Sequence, residues 1–378
     1  MATIFEFDVV NTQVIAGLFS STEQITVDWG DGGASSNYNG NDQAYSKDYG
    51  SAGNRTVTIT ASSEAVMTKF TMATTGANVS FALADLPSGL TYFNCQGYNT
   101  ISGSLSDLPE DLNTFGCTGS NTISGSLSDL PSGVTYFYCT GSNTISGSLA
   151  DLPEDLTYFY CSGYNTVSGS LSDLPSGVTT FTCAGSNTIS GSLSDLPSGL
   201  KNFYCTGYNT VSGYTTRTWA ASMIRIYFVP TGTGGLTSAE IDQLLADLAD
   251  TTWTSTKTIT LTGTNAPRTT GSNADVATLT GLGVTTTTNT KLDAGCLYKI
   301  TATEVDHFGT GLEVDDYFTA DGTETIDANN KVKQVLTPSS SGATIVSAKG
   351  GTTYNFAYKD TSFTYNAASY YCIVSKVR

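Results

Sequence analysis

The chain has 378 residues, 39 of them glycine, with 33 acidic against 16 basic side chains and a net charge of −17. That balance argues against a nucleic-acid partner, because phosphate backbones are held by clustered Lys and Arg. Charged residues make up 13% of the chain, against a usual ~25%, and no apolar run reaches the ~18 residues that a membrane span needs.

The opening MATIFEFDVV lacks the basic n-region and long apolar h-region of a secretory signal. Residues 1–66 read as a small β-domain. ATIFEFDVV, QVIAGLF, EQITVDWGDGG and NRTVTITA are strand-like and are separated by Ser/Asn/Gly-rich links. Asp28 and Asp31 are expected to brace the turn between strands; a cation site is the alternative. Residues 67–85 read as an atypical first turn of the repeat array that begins at Leu86, with Val79, Leu83 and Asp85 keeping its register and its Cys and Asn missing.

Residues 86–213 are one 22-residue phrase written six times, starting at Leu86, Leu108, Leu130, Leu152, Leu174 and Leu196. Cys95, Cys117, Cys139, Cys161, Cys183 and Cys205 mark the register, each followed four residues later by Asn99, Asn121, Asn143, Asn165, Asn187 or Asn209. A fixed period in the range of roughly 20–29 residues means stacked units, each burying the apolar side of the next. Alternation around Phe93 and Cys95 predicts a short strand with both side chains inward. Gly97 and Gly103 suit bends that need positive φ. Pro109 and its equivalents stop any helix, so the return limb reads as extended or 3₁₀.

Stacked asparagines are expected inside, where an amide can bond the backbone of its own and neighbouring turns. The six ladder cysteines read as small buried hydrophobes, because the parallel Cβ vectors of neighbours disfavour bridging. The sequence leaves open whether Cys296 and Cys372 pair.

From 218 to 289 the period lengthens. MIRIYFV is a strand; LTSAEIDQLLADLAD is the clearest helix, with Ser238 as cap and Ile241, Leu244, Leu245 and Leu248 on one face. KTITLTGTNAP reads as a strand, NADVATLTGLG as a short helix and VTTTTN as a last strand. Residues 290–378 read as a β-rich tail, divisible into 290–337 and 343–378 about a Pro/Ser/Gly link.

Chemistry finds little to work with. The one histidine, His307 beside Asp306, has no GxSxG-type nucleophile to serve. Glu110-Asp111 and Glu154-Asp155 lie on a turn where other copies carry Ser-Gly, which reads as a solvated edge rather than an acid/base pair. Asp107, Asp129, Asp151, Asp173 and Asp195 form a column read as turn formers, with calcium binding as the alternative. No catalytic residue, metal ligand set or cofactor is expected.

The outward positions differ from copy to copy while the inward ones do not. They carry Tyr92, Tyr136, Tyr138, Tyr158, Tyr160 and Tyr204 on the strand, and Tyr98, Tyr164 and Tyr208 beside the asparagine. Tyrosine offers flat apolar area with a polar tip at low entropic cost, which suits recognition of glycan or protein. Stacking that merely stabilises the sheet is the alternative.

The phrase LxxLxLxx, then Asn, Ile/Val and SGxL, resembles the leucine-rich repeat family, with Asn99 one place later than that family's commonest Asn. The resemblance implies a curved solenoid whose strand face binds something. ITVDWGDGG followed by DYGSAGNRTVTIT resembles the PKD-type immunoglobulin-like domain; Trp29, Gly30, Asp31 and Gly32 match its turn, and Lys47-Asp48-Tyr49 stands where a His usually precedes the late Tyr. The helix-containing turns resemble those of leucine-rich repeat proteins of bacterial surfaces and phages, and residues 296–320 resemble small β-modules of phage structural proteins. Together these imply a mainly β protein: an Ig-like β-sandwich, a leucine-rich repeat solenoid and a β-rich tail. They imply a non-enzymatic virion protein, attached to phage tail or head, whose partners are other virion proteins and a host-surface glycan or protein, with homo-oligomers allowed. A bacterial cell-surface adhesin is the alternative.

Overall fold

The computed structural model describes residues 1–289 except 74, 75, 77 and 221 and, from 290 on, only the backbone of short strands. Strands β1 (Ala2–Asp28) and β2 (Ser36–Ala61) form a long antiparallel pair that curls on itself. Phe5 lies opposite Ile59 and Phe19 opposite Gln43, while Val27 pairs with both Ser36 and Ile59. The curl buries Phe5, Phe7, Phe19, Trp29 and Tyr45 together. Asp28 and Asp31 brace the intervening turn: their carboxylates accept from the N–H groups of Gly30 (2.9 Å) and Gly33 (3.0 Å). Lys47 closes the same turn on Asp31 at 2.5 Å.

This pair seals the N-terminal end of the repeat stack. β3 (Met67–Met72) and β4 (Val79–Ala82) each bond antiparallel to β1 and parallel to β5 (Tyr92–Ser104). An uncovered terminal turn would expose Phe93 and a row of unpaired backbone groups; β3 and β4 cover both. Residues 67–85 are the expected atypical turn, with Met72 paired to Cys95 and occupying the cysteine's place.

Each 22-residue turn has two extended limbs. On the first limb, β5, β6 (Thr114–Ser126), β7 (Tyr136–Gly141), β9 (Tyr158–Ser162), β11 (Thr180–Ala184) and β13 (Asn202–Gly207) pair in parallel and in register. On the second, β8 (Thr144–Ser148), β10 (Thr166–Ser170) and β12 (Thr188–Ser190) continue the later parts of β5 and β6. Alternation sends Phe93, Phe115, Phe137, Phe159, Phe181 and Phe203 inward, where the rings stack at centroid spacings of 5.5 to 6.0 Å.

The second limb ends in a 3₁₀ turn, Leu105–Asp107 in the first copy, as the proline-bearing return predicts. Asp107 accepts from the Ser104 N–H (2.9 Å) and Ser104 Oγ accepts from the Ser106 N–H (3.3 Å). The same box recurs at Asp129, Asp151, Asp173 and Asp195. The aspartate column is therefore committed to backbone donors, which is the turn-forming reading.

Beyond the last 22-residue copy, β14 (Met223–Pro230), α1 (Ser238–Ala249), β15 (Trp253–Leu261), α2 (Asn273–Gly281) and β16 (Thr285–Thr288) extend the same sheet and core. The cap of α1 is Thr237 rather than Ser238: its hydroxyl accepts from the Glu240 N–H (3.3 Å) while Glu240 answers the Thr237 N–H (2.7 Å). The expected face of Ile241, Leu244, Leu245 and Leu248 is buried. β15 starts at Trp253, ahead of the expected Lys257, because the Trp253 ring is buried and its Nε1 donates to the Leu248 carbonyl at 3.0 Å.

The tail is described as short strands: Leu297–Thr303 pairs antiparallel with Tyr317–Thr319 and with Tyr371–Lys376, and Thr344–Val346 with Thr353–Asn355. Cys296, Asp306 and His307 lie outside the described residues, as does the side chain of Cys372.

Candidate recognition face

The inner ladder fixes the geometry of the outer one. All six asparagines from Asn99 to Asn209 are buried. Each Oδ1 accepts from a backbone N–H of the preceding turn: Asn121 from Ile101, Asn143 from Ile123 and Asn165 from Ile145, all at 3.0 Å. The amide group bonds forward where it can, Asn99 to the Thr118 carbonyl and Asn121 to that of Thr140, both at 3.2 Å. The ladder outlasts the 22-residue period, since Asn265 Oδ1 accepts from the Leu236 N–H at 2.9 Å.

The six cysteines are buried free thiols in the column beside it. Burial pushes the Cys161 and Cys205 thiols up to about 12 and raises the other four well above their ordinary value. The column is thus inert packing rather than a nucleophile or ligand set.

With Phe and Cys inward, the alternating residues form two outward columns. One runs Tyr92, Thr114, Tyr136, Tyr158, Thr180, Asn202 and Arg225; the other runs Asn94, Gly116, Tyr138, Tyr160, Thr182, Tyr204 and Tyr227. Tyr136 stacks on Tyr158 at 4.4 Å, Tyr138 lies over Tyr160 at 4.6 Å, and the diagonal pair Tyr138 and Tyr158 is 6.4 Å apart. The four rings make one patch. Tyr204 and Tyr227 form a second stack at 4.3 Å. Between the patches the column drops to Thr182, which is only 2% exposed and whose hydroxyl has no hydrogen-bond partner among the described residues.

Tyr92 stands apart at the N-terminal end, with the Lys69 ammonium 4.6 Å from its ring centre. Tyr98, Tyr164 and Tyr208 are 69, 73 and 63% exposed along the loop edge beside the buried asparagines. The structure therefore brings together Tyr136, Tyr138, Tyr158 and Tyr160, and places Tyr204 near them; it does not join the three loop-edge tyrosines to that patch. Tyr227 and Arg225 escape a reading based on the 22-residue period because they lie past the sixth repeat. The signal that finds them is register: MIRIYFV continues the outward columns with Arg and Tyr.

Glu110, Asp111, Glu154 and Asp155 are exposed on the turn that leads back to the strand limb. No group of three or more His, Cys, Asp or Glu side chains among the described residues is placed to hold a metal ion. Among the described residues no helix is long and apolar enough to cross a membrane.

No protein-family model matches the chain, and no curated protein matches it. Among solved structures it is similar to a plant peptide hormone receptor, RGFR1, in complex with RGF2, at 17% identity and a TM-score of 0.35. That match covers 50% of this chain and 31% of the receptor chain, so the chain spans less than a third of the receptor's length. The repeated strand pattern is compatible with a leucine-rich-repeat-like solenoid.

Proposed function

We propose that this protein is a non-enzymatic recognition module whose tyrosine-bearing strand face binds a cell-surface glycan. The observation that carries the reading is the four-ring patch of Tyr136, Tyr138, Tyr158 and Tyr160 on a face whose neighbouring outward residues are Thr, Asn and Gly. Half-buried stacked phenols present apolar ring area with hydroxyls at the rim, and rigid side chains lose little entropy on binding. Sugars need that combination of flat apolar faces and neutral hydrogen-bonding groups.

The setting we propose is a phage virion, with the resemblance of residues 296–320 to small β-modules of phage structural proteins as support. In that setting the module is a fibre or decoration protein that touches the host. Neighbouring capsid and tail genes would separate it from a bacterial adhesin. The reading is tested by immobilising bacterial surface polysaccharides and comparing the protein with a Tyr138→Ser/Tyr160→Ser double variant of unchanged melting temperature. Binding by the parent and loss in the variant support it; equal binding by both removes the tyrosine face as the site.

A further inference from the structure

The outward columns carry an electrostatic asymmetry. The net charge is −17, yet the strands of this face, β5, β6, β7, β9, β11, β13, β14 and β15, contain no aspartate or glutamate. The acids of the repeats sit on the 3₁₀ turns and, at Glu110-Asp111 and Glu154-Asp155, on the turn that follows. On the two outward columns between Tyr92 and Thr260, Arg225 is the one charged side chain among the described residues.

Arg225 is held but not neutralised. Its Nε donates to Asn202 Oδ1 at 3.0 Å, and its guanidinium carbon lies 5.2 Å from the Tyr204 ring centre. Those two contacts fix the plane of the group. The Nη groups have no hydrogen-bond or ion-pair partner among the described residues. Burial raises the phenols of Tyr158 and Tyr204, and the Arg225 charge lies near enough to offset part of that rise in both. A positioned guanidinium with a free fork, beside the Tyr204 phenol, is a donor set for a carboxylate. An aromatic face beside it supplies the platform for the ring that bears the carboxylate.

We infer that the face takes an acidic saccharide, with the carboxylate of a uronic-acid-type unit on the Nη groups of Arg225 and neighbouring sugar rings on the tyrosine patches. The inference rests on the glycan reading above and sharpens it to a chemical class. One guanidinium among neutral groups suits a polymer that carries a carboxylate on a neutral sugar frame. A densely charged polyanion meets too few cations here to overcome the chain's own negative charge.

The test uses the full-length protein with glucuronoxylan and gellan, in which uronic acid units are spaced along a neutral sugar frame, each beside its carboxyl-reduced form, in which the acid is a neutral hydroxymethyl group on the same linkage. The expected result is binding to at least one acidic polymer about tenfold tighter than to its reduced form, the range of one charge-assisted contact. Arg225→Met should bring that ratio to near one, the ratio being the readout because loss of the Asn202 and Tyr204 contacts acts on both polymers alike. Arg225→Lys should fall between, because it keeps the charge and loses the fork. Equal binding of acidic and reduced polymers, or an intact preference in Arg225→Met, overturns the inference and leaves the glycan reading standing. Failure of all four polymers to bind overturns the inference, and the polysaccharide comparison on the tyrosine variant then decides the broader reading by itself.

Discussion

Replacing Asn143 with Leu isolates one rung of the amide ladder. Asn143 Oδ1 is the acceptor for the Ile123 N–H at 3.0 Å, and its Nδ2 has no hydrogen-bond partner among the described residues. Leucine keeps the branching and the number of side-chain heavy atoms of asparagine but is bulkier, so no cavity opens, and the main loss is that of a single bond with its donor left buried. An orphaned backbone N–H costs about 1–3 kcal/mol, and the added apolar burial of leucine offsets part of it, which leaves a net loss of about 1–2 kcal/mol. Asn121→Leu removes a second bond, from Nδ2 to the Thr140 carbonyl, and should cost about 1 kcal/mol more. Urea unfolding gives the two midpoints, and amide hydrogen exchange reads the rung directly: the Ile123 amide should lose protection in Asn143→Leu while Ile145, bonded to Asn165, keeps it. An Ile123 amide as protected as in the parent, with an unmoved midpoint, would refute the reasoning.

The same geometry sets three further outcomes. With a thiol-specific chromogenic reagent at pH 8, the six ladder cysteines should stay silent in the native protein, so no more than two of the eight thiols react; rapid reaction of three or more would contradict the buried column. Burial raises the folded thiols of Cys161 and Cys205 to about 12 from an ordinary 9.0. A raised folded value stabilises the neutral form, so that stability is complete below pH 9 and lost as pH climbs from 9 towards 12. The urea midpoint should therefore drop across that window; a flat midpoint would count against it. Gly141 sits at φ +138°, and a Cβ there would meet the Asn121 backbone nitrogen at 2.8 Å. Gly141→Ala should cost about 1–3 kcal/mol in urea unfolding, whereas Gly133→Ala, with its nearest neighbour at 3.9 Å, should cost far less.

The repeat was legible because period and alternation each point the same way. Phe93 and Cys95 alternate, Asn99 keeps a fixed offset, and Pro109 forbids a helix on the return, so strand, inward amide and 3₁₀ turn all derive from local chemistry. The ladder of backbone bonds to the preceding turn was only partly legible: burial of Asn99 required a partner, but the direction of the bond depends on the rise between turns. The α1 cap was legible but misplaced by one residue: Thr237 and Ser238 are both good caps, and the spacing of Thr237 to Glu240 is the capping-box signal that selects Thr237. The N-terminal strands were legible as strands, whereas the wrap of β1 and β2 onto β3 and β4 depends on contacts far apart in sequence. On the candidate face, the tyrosines were visible in the copies, but Arg225 was not, since it lies where the period breaks and only the register of β13 with β14 aligns it with Asn202.

Interchangeable turns stack into one continuous coil and hold the tyrosine face in place. Amide hydrogen exchange on a variant lacking residues 130–151, one whole repeat, checks that stacking. Turns on both sides should close up, with Asn165 taking over the Ile123 N–H, and the Ile123 amide should stay protected at its parental level. Loss of that protection, with exchange spreading into the neighbouring turns, would contradict it.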